Sequence, residues 1–182
     1  MHVSLVMTII GQDRPGLVES VASLIADHGG NWLESRMSHL GGQFAGILRV
    51  QLPGEQEEAL VRALKSLETK GLSIVVIAEQ PKPAAGAEPL TLLEIVGQDR
   101  PGIVRQISLA LASHGVNVEE LDTECHSAPM SGETLFQAQA KLRIPASCNT
   151  AELRLDLEKI AADLIVDISI APLPPIRPAH PT

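Results

Sequence analysis

One stretch of six residues occurs twice in this chain, and this repeat constrains the fold more than any other feature. Residues 11–16 read Gly-Gln-Asp-Arg-Pro-Gly, and the same six residues return at 97–102, an offset of 86. Phe44 and Phe136 match at an offset of 92, so the second copy carries about six extra residues near 126–132, where a turn belongs. An internal repeat of this kind predicts two copies of one structural unit.

The same order of elements is predicted for each copy. An apolar run of strand length leads into the repeated motif, whose proline opens a helix at or near its first position. A strand, a turn, an alternating strand, a second amphipathic helix and a last strand follow. In the first copy, Gly41 and Gly42 predict a tight hairpin turn between the second and third strands. The predicted ranges outside the motif are 3–10, 44–52, 55–70 and 72–78 in the first copy, and 90–96, 136–144, 150–163 and 164–170 in the second. This order predicts an α+β fold of two tandem ferredoxin-like βαββαβ domains with antiparallel four-stranded sheets.

The predicted domains follow from this repeat and from the positions of proline. The first domain occupies residues 1–80 and the second residues 88–171, with a proline-containing linker at 81–87 and a proline-rich tail at 172–182. We expect the two units to associate through helices or sheet edges. A homodimer that pairs exposed sheet edges is also expected from units of this size.

Composition excludes several classes of protein. The chain has 14 basic and 22 acidic residues, a net charge of −8, so direct binding of nucleic acid is not expected. It has only three aromatic side chains, too few for an RNA-recognition motif, which shares the same topology. No apolar stretch reaches the ~18 residues of a membrane span, and no secretory signal is evident. Two cysteines without metal-ligand spacing fit a reducing compartment, so we expect a cytoplasmic protein.

The repeated motif is the strongest candidate for a binding site. Glycine permits close approach to the backbone, and the start of a helix directs N–H groups outward, which suits a carboxylate. Asp13 and Asp99 either bind an ammonium group or cap the helix. Asn31 and Asn117 add amides that both donate and accept hydrogen bonds. These parts suit a zwitterion, although the same residues would also make a good structural turn.

The pattern Gly-x-Asp-Arg-Pro-Gly-(Ile/Leu)-Val, followed by His-Gly and then by Asn, resembles the signature of the ACT domain. This family is a regulatory βαββαβ module that typically binds amino acids, usually at an interface between modules. The resemblance implies ligand contacts from the first turn and from the start of the second strand. The implied residues are Gly11, Asp13, Arg14, Pro15, Gly16 and Asn31 in the first copy, and Gly97, Asp99, Arg100, Pro101, Gly102 and Asn117 in the second.

The resemblance also implies a function and its partners. Two ACT domains that fill a chain resemble transcriptional repressors, which implies an amino-acid sensor that acts on a DNA-binding activator protein. The alternative is a regulatory module that controls a metabolic enzyme. The expected ligand is a small amino acid, glycine first and serine next, held by the first copy more tightly because acidic residues at 119–124 follow the second asparagine.

Catalysis is not expected from this sequence. Related turns occur in regulatory parts of enzymes such as formyltetrahydrofolate deformylases, where a separate domain performs the reaction. Here the two repeats use up the chain and leave no Ser-His-Asp set, metal cluster or phosphate-binding loop. Cys125 and His126 are neighbours on a predicted strand and therefore point to opposite faces, so we expect an inert thiol. No cofactor and no metal are expected.

Overall fold

The structure, a computed structural model, describes residues 1–79, 89–127 and 132–173. These residues form two compact units, one within residues 1–83 and the other within 84–182. The predicted linker at 81–87 lies outside the described residues, as do residues 174–182 of the predicted tail and part of the predicted insertion near 126–132.

The first unit has the predicted βαββαβ order. Its strands form one antiparallel sheet in the order β2-β3-β1-β4, and both helices cover the same face of that sheet. Short 3₁₀ turns flank the second helix. The elements are β1 (His2–Gln12), α1 (Leu17–Asp27), β2 (Asn31–Leu40), β3 (Gln43–Pro53), α2 (Glu57–Ser66) and β4 (Leu72–Ala78), with 3₁₀ turns at Gly54–Gln56 and Leu67–Lys70.

The second unit repeats this architecture. Its sheet order, β6-β7-β5-β8, corresponds strand for strand to that of the first unit. The elements are β5 (Leu90–Gln98), α3 (Ile103–Ser113), β6 (Asn117–Ser127), β7 (Thr134–Arg143), α4 (Thr150–Leu164) and β8 (Val166–Pro172). The predicted fold class, two tandem ferredoxin-like domains with antiparallel four-stranded sheets, is therefore confirmed.

Each unit has an aliphatic core between its sheet and its helices. Alternate residues of the central strands point into the core, as Leu5, Met7 and Leu48 do in the first unit. Among the described residues no polar or charged side chain is buried, so apolar burial dominates the stability of both units. Trp32 is half-buried on β2 and packs against the first core. Within each unit, both described α-helices lie on this one face of the sheet, which borders the core.

The hairpin predicted at Gly41 and Gly42 is confirmed. It joins β2 to β3 through two residues whose φ angles are +57° and +77°. Both glycines therefore occupy the left-handed region, as a two-residue type I′ turn requires.

The start of the first helix in each unit differs from the prediction. Pro15 and Pro101 do not open the helices, which begin at Leu17 and Ile103. The first strand keeps its pairing through both Gly and Gln of the motif, so the reversal of the chain falls on the later motif residues. Gly16 completes this reversal with a φ of +89°, which places the helix start after the proline.

The histidines that follow the first helix of each unit have different partners. His28 meets the Leu24 carbonyl oxygen through Nδ1 at 2.7 Å, as predicted for a residue at the end of a helix. The Nε2 of His114 lies 3.0 Å from Oδ2 of Asp156, so it links α3 to α4 instead. Hydrogen bonds from His114 and from Lys159 lower the pKa of the Asp156 carboxyl.

We expect Asp156→Asn to flatten the acid dependence of stability. Because the folded pKa of Asp156 is lowered, its contribution is present above the ordinary value of 3.8 and is lost as the pH falls through the folded value. The variant should be less stable than the parent at neutral pH, and the difference should disappear in acid. Urea midpoints at both pH values test this, with Asp163→Asn on the same helix as the control. Equal pH profiles for Asp156→Asn and the parent would contradict it.

Within the described parts of the chain, none of the four α-helices combines the length and apolar character that a membrane crossing needs.

Candidate functional site

The first repeated turn is held by backbone hydrogen bonds at both of its ends. The N–H of Asp13 donates to the carbonyl of Gly42 in the β2–β3 hairpin at 3.0 Å. The carbonyl of Gly16 accepts from the backbone N–H of Ser20 at 2.9 Å and from its hydroxyl at 2.8 Å. The turn is therefore fixed in place before α1 begins.

No side chain caps the N-terminus of α1, so Asp13 does not play the predicted capping role. Its carboxylate instead lies 3.7 Å from Nε2 of His39, on the second strand. The N–H groups at the start of a helix lack partners within the helix, and their partial positive charge favours an anion. The turn that follows β1 therefore leads into a helix N-terminus that has a glycine as its first flanking residue and no side-chain cap.

A shallow cleft of about 550 Å³ lies at this helix start. Its lining combines the charged residues of the turn with apolar side chains of α1 and β3. Helical spacing predicts that Val18 faces the core, yet this side chain is 44% exposed and lines the cleft. The lining residues are Asp13, Arg14, Gly16, Leu17, Val18, Glu19 and Phe44.

Each of the two glycines in the first motif is required for a different structural reason. A Cβ on Gly11 would lie 2.7 Å from the Gly71 carbonyl oxygen, so β1 and the start of β4 approach too closely for a side chain. A Cβ on Gly16 would meet nothing within 4 Å, but its φ of +89° disfavours any other residue. The first glycine thus serves packing, whereas the second shapes the turn and leaves the cleft open.

The arginines of the two motifs are held differently. Arg14 donates from its guanidinium to the carbonyl of Lys70 at 2.9 Å, which ties the first turn to the end of the second helical segment. Arg100 donates to the side-chain oxygen of Gln98 at 3.2 Å. Identical sequence therefore does not give identical contacts, because the residues that surround the two motifs differ.

The second turn places a cysteine where the first has a histidine. The N–H of Asp99 donates to the Thr134 carbonyl at 2.8 Å, in parallel with Asp13. Its carboxylate lies beside the Cys125 thiol, at the position that corresponds to His39. Loss of solvent contact, and then the charge and hydrogen bond of Asp99, raise the pKa of Cys125. A raised pKa leaves a smaller fraction of thiolate, the nucleophilic form, at a given pH.

We expect Asp99→Asn to accelerate alkylation of Cys125 several-fold. Removing the carboxylate charge lowers the pKa of the thiol and so increases the thiolate fraction at a given pH. Rates of modification by iodoacetamide, followed by mass spectrometry of the Cys125 peptide, measure the effect. Cys148 in the same samples is the internal control and should not change. An unchanged Cys125 rate would mean that Asp99 does not influence the thiol.

The structure does not bring Asn31 to the first turn of its own unit. Asn31 begins β2 and pairs with Gln51, whereas Gly11 pairs with Phe44 at the opposite end of β3. Seven residues of β3 separate these two levels, which is about 23 Å along an extended strand. An amino acid bound at the turn cannot also reach Asn31 of the same unit.

Asn117 lies equally far from the second turn, since it pairs with Arg143 while Gly97 pairs with Phe136. Its amide donates to Oε1 of Glu119 at 2.8 Å, and the same oxygen accepts from Nε of Arg143 at 3.0 Å. The first acidic residue after Asn117, Glu119, therefore already accepts a hydrogen bond from the Asn117 amide.

Two pairs of equivalent residues that distinguish the turns were not recognised from the sequence. The first pair is His39 and Cys125, which lie beside the motif aspartates. The second pair is Glu19 in the first turn of α1 and Arg105 in the first turn of α3. Both differences can be found in the sequence at the offset of 86 residues. The first turn is the more acidic of the two. Within the described residues, no group of His, Cys, Asp and Glu could hold a metal ion.

Comparison with known proteins relates the first unit to a family. Residues 4–76 match the family model of the ACT domain. This range covers the first unit from β1 to β4, so the similarity to the ACT domain extends over all the elements of that unit. The second unit has the same topology and the same turn.

Two curated relatives extend over nearly the whole chain. The chain is 24% identical over 172 residues to the glycine cleavage system transcriptional repressor of Escherichia coli (strain K12), which covers 91% of this chain and 88% of that protein. The protein of the same name from Shigella flexneri matches with the same identity and coverage.

Solved structures show the same two-unit fold. An unknown protein from Galdieria sulphuraria matches with a TM-score of 0.86 and 29% identity, over 96% of this chain and all (100%) of that one. A protein proposed to be a glycine cleavage system transcriptional repressor matches with a TM-score of 0.70 and 19% identity, over 95% of this chain and 98% of that one. The second likeness concerns the fold alone.

Proposed function

We propose that this chain is a tandem ACT-domain protein and an amino-acid-sensing regulatory protein. The family match of the first unit, together with the same topology and the same turn in the second, supports this. We further propose that it is a glycine cleavage system transcriptional repressor that acts in the cytoplasm through a DNA-binding partner protein. Support comes from the curated relatives of that name, which align over 91% of the chain. The proposal assigns the chain a regulatory rather than a catalytic role.

The observation that carries the sensing role is the uncapped helix start beside Gly16. A ligand carboxylate would accept hydrogen bonds from the backbone N–H groups near residues 15–17, where α1 begins. Pro15 itself has no N–H, so Gly16 and Leu17 are the donors in this range. Its ammonium group would meet the Asp13 carboxylate, which lines the same cleft. Val18 and Phe44 give the cleft an apolar wall. The proposed ligand is a small amino acid, glycine first and serine next.

The proposed binding residues divide into two sets that lie far apart within each unit. The motif residues surround the turn, whereas Asn31 and Asn117 lie about 23 Å away at the other end of their sheets. Within one unit a single amino acid contacts one set only. Both sets contribute to one ligand only if they come from different modules, as the resemblance to the ACT family implies.

We expect calorimetric titration with glycine to show binding that Asp13→Asn weakens about tenfold or more. A hydrogen bond to a charged group contributes about 1.5–3 kcal/mol, and the amide keeps the shape of the carboxylate. Asp99→Asn is the matched variant in the second unit, and we expect the smaller effect there. A panel of serine and larger amino acids measures the selectivity.

Asn31→Ala and Asn117→Ala test the second set of residues. Weaker glycine binding in Asn31→Ala would support a contribution from a different module, and we expect a smaller effect from Asn117→Ala because Glu119 already occupies its amide. Absence of heat for every amino acid would contradict the sensing role. Binding that none of these four substitutions changes would leave both sets as structural elements.

We expect the purified protein not to shift operator DNA at physiological salt. Its net charge of −8 opposes contact with a phosphate backbone, so an effect on transcription needs a partner that binds DNA. An electrophoretic mobility assay with and without the activator of the glycine cleavage operon measures this. A specific, salt-dependent shift by the protein alone would contradict the proposed mechanism.

A further inference from the structure

The face of the first sheet opposite α1 and α2 has an ordered pattern of side chains. The strand register places them in rows that cross all four strands, and two adjacent rows combine charged and apolar residues. We call these eight residues the open face of the first unit. The first row is Glu34, Arg49, Val6 and Ile77, and the second row is Arg36, Ile47, Thr8 and Val75.

Apolar side chains dominate the part of this open face that belongs to β1, β3 and β4. Ile47, Val75 and Ile77 are 46%, 56% and 61% exposed. Val75 and Ile77 share β4, and Val6 of β1 connects them to Ile47 on β3. Such a contiguous apolar patch on a sheet is typical of an interaction surface. The charges lie toward β2, where Glu34 contacts Arg36 at 3.7 Å and Arg49 at 3.6 Å.

The corresponding face of the second unit has a different chemical character. The matched rows are Glu120, Lys141, Leu92 and Ala171, and Asp122, Gln139, Glu94 and Ser169. Polar residues thus replace Ile47 and Val75, and carboxylates replace Thr8 and Arg36. A partner that covered this face would bury the carboxylates of Glu94, Glu120 and Asp122 together, and taking charged groups out of water is costly. One of the two sheets is therefore suited to docking and the other to solvent.

We propose that the open face of the first unit packs against the same face of a second copy of this chain. A two-fold axis that runs between the two rows, perpendicular to the strands, places the first row of one copy on the second row of the other. The Glu34 carboxylate of each copy then meets the Arg36 guanidinium of the other, and Ile77 meets Val75. Between these pairs the aliphatic stem of Arg49 covers Ile47, and Val6 meets Thr8.

The same operation on the second unit would be unfavourable. It would set Glu120 opposite Asp122 and Leu92 opposite Glu94, so like charges would meet and a carboxylate would cover an apolar side chain. The pattern on the first unit is therefore self-complementary in a way that its repeat is not. This contrast favours a second copy of the chain, through its first unit, as the occupant of the open face.

The area of the sheet face limits the expected affinity of the dimer. The whole sheet face, which extends beyond the eight residues of the open face, has four strands about 4.8 Å apart and about seven residues long. It spans roughly 19 by 23 Å, or about 400 Å² on each copy. Stable interfaces use about 800 Å² on each partner, so the dimer should form in the micromolar range. Self-association should therefore depend on protein concentration.

Sedimentation velocity of the full chain across the micromolar range tests the proposal. We expect Val75→Glu to raise the dissociation constant of the dimer about tenfold or more, because a carboxylate then faces Ile77 of the other copy. Ser169→Glu, at the matched exposed position of the second unit, should leave it unchanged. Circular dichroism confirms that both variants are folded. A parent protein that is monomeric throughout this range, or a Val75→Glu variant that associates normally, would overturn the proposal.

A charge exchange tests the two-fold pairing itself. Arg36→Glu and Glu34→Arg should each weaken self-association, since like charges then face each other across the axis. An equimolar mixture of the two variants should form a heterodimer, because the two carboxylates of the Arg36→Glu copy would face the two guanidinium groups of the Glu34→Arg copy. Failure of the mixture to associate more strongly than either variant alone would overturn this pairing.

Discussion

Gly97→Ala is expected to destabilise the second unit by about 2–3 kcal/mol, a typical cost of overpacking. A Cβ at this position would lie 2.6 Å from Cγ1 of Val166, 2.8 Å from its Cα and 2.9 Å from the Ile165 carbonyl oxygen. Two of these three atoms belong to the backbone and cannot rotate away, so β5 and β8 would have to separate. Urea unfolding followed by circular dichroism measures the loss of stability.

The matched substitutions test this explanation. Gly11→Ala should cost somewhat less, because only one backbone contact is that short, to the Gly71 carbonyl oxygen at 2.7 Å. Gly102→Ala adds a methyl group in open space and should cost about 1–2 kcal/mol from its φ of +101° alone. If Gly97→Ala were no worse than Gly102→Ala, close packing would not be the reason for the first glycine of the motif.

Gly71→Ile is expected to destabilise the first unit by about 1–2 kcal/mol, and Ile165→Gly to stabilise the second by about 1 kcal/mol. These residues hold the same position before the last strand, with φ angles of +78° and +57°. Ile165 is the only residue other than glycine with a positive φ among the described residues. Its side chain is 64% exposed, so its removal relieves backbone strain with little loss of packing.

Thermal unfolding of the two variants beside the parent checks this pair of effects. Gly71→Ala serves as the control, because it carries the backbone cost without a β-branched side chain and should fall between Gly71 and Gly71→Ile. If Ile165→Gly lowered the stability, side-chain contacts would outweigh the strained backbone.

The fold could be predicted because the repeat and the hydrophobic periodicity are both local signals. The alternating pattern around Leu48 and Val50 identified β3 and its buried face, and Gly41 and Gly42 identified the hairpin. The position of Pro15 misled because a proline before a helix and a proline at its first position look alike in sequence. The φ of Gly16 decided between them.

The candidate site was predicted less completely because it depends on pairs of residues that only the folded chain brings together or separates. Asn31 and the first turn were grouped because their residue types together suit a zwitterion and because the family resemblance implies both. The register instead sets them at opposite ends of one sheet. The partners of the motif aspartates, His39 and Cys125, lie on another strand and required the sheet order. The chemical contrast between the two open faces likewise needed the register of four strands.

Fluorescence of the single tryptophan can follow the unfolding of the first unit separately. The sequence contains one tryptophan and no tyrosine, and Trp32 packs against the core of the first unit. Its emission therefore reports the unfolding of that unit alone, whereas circular dichroism sums both. A denaturation recorded by both signals assigns each transition to its unit. Gly97→Ala should move the dichroism curve and leave the emission curve in place, and Gly71→Ile should move both.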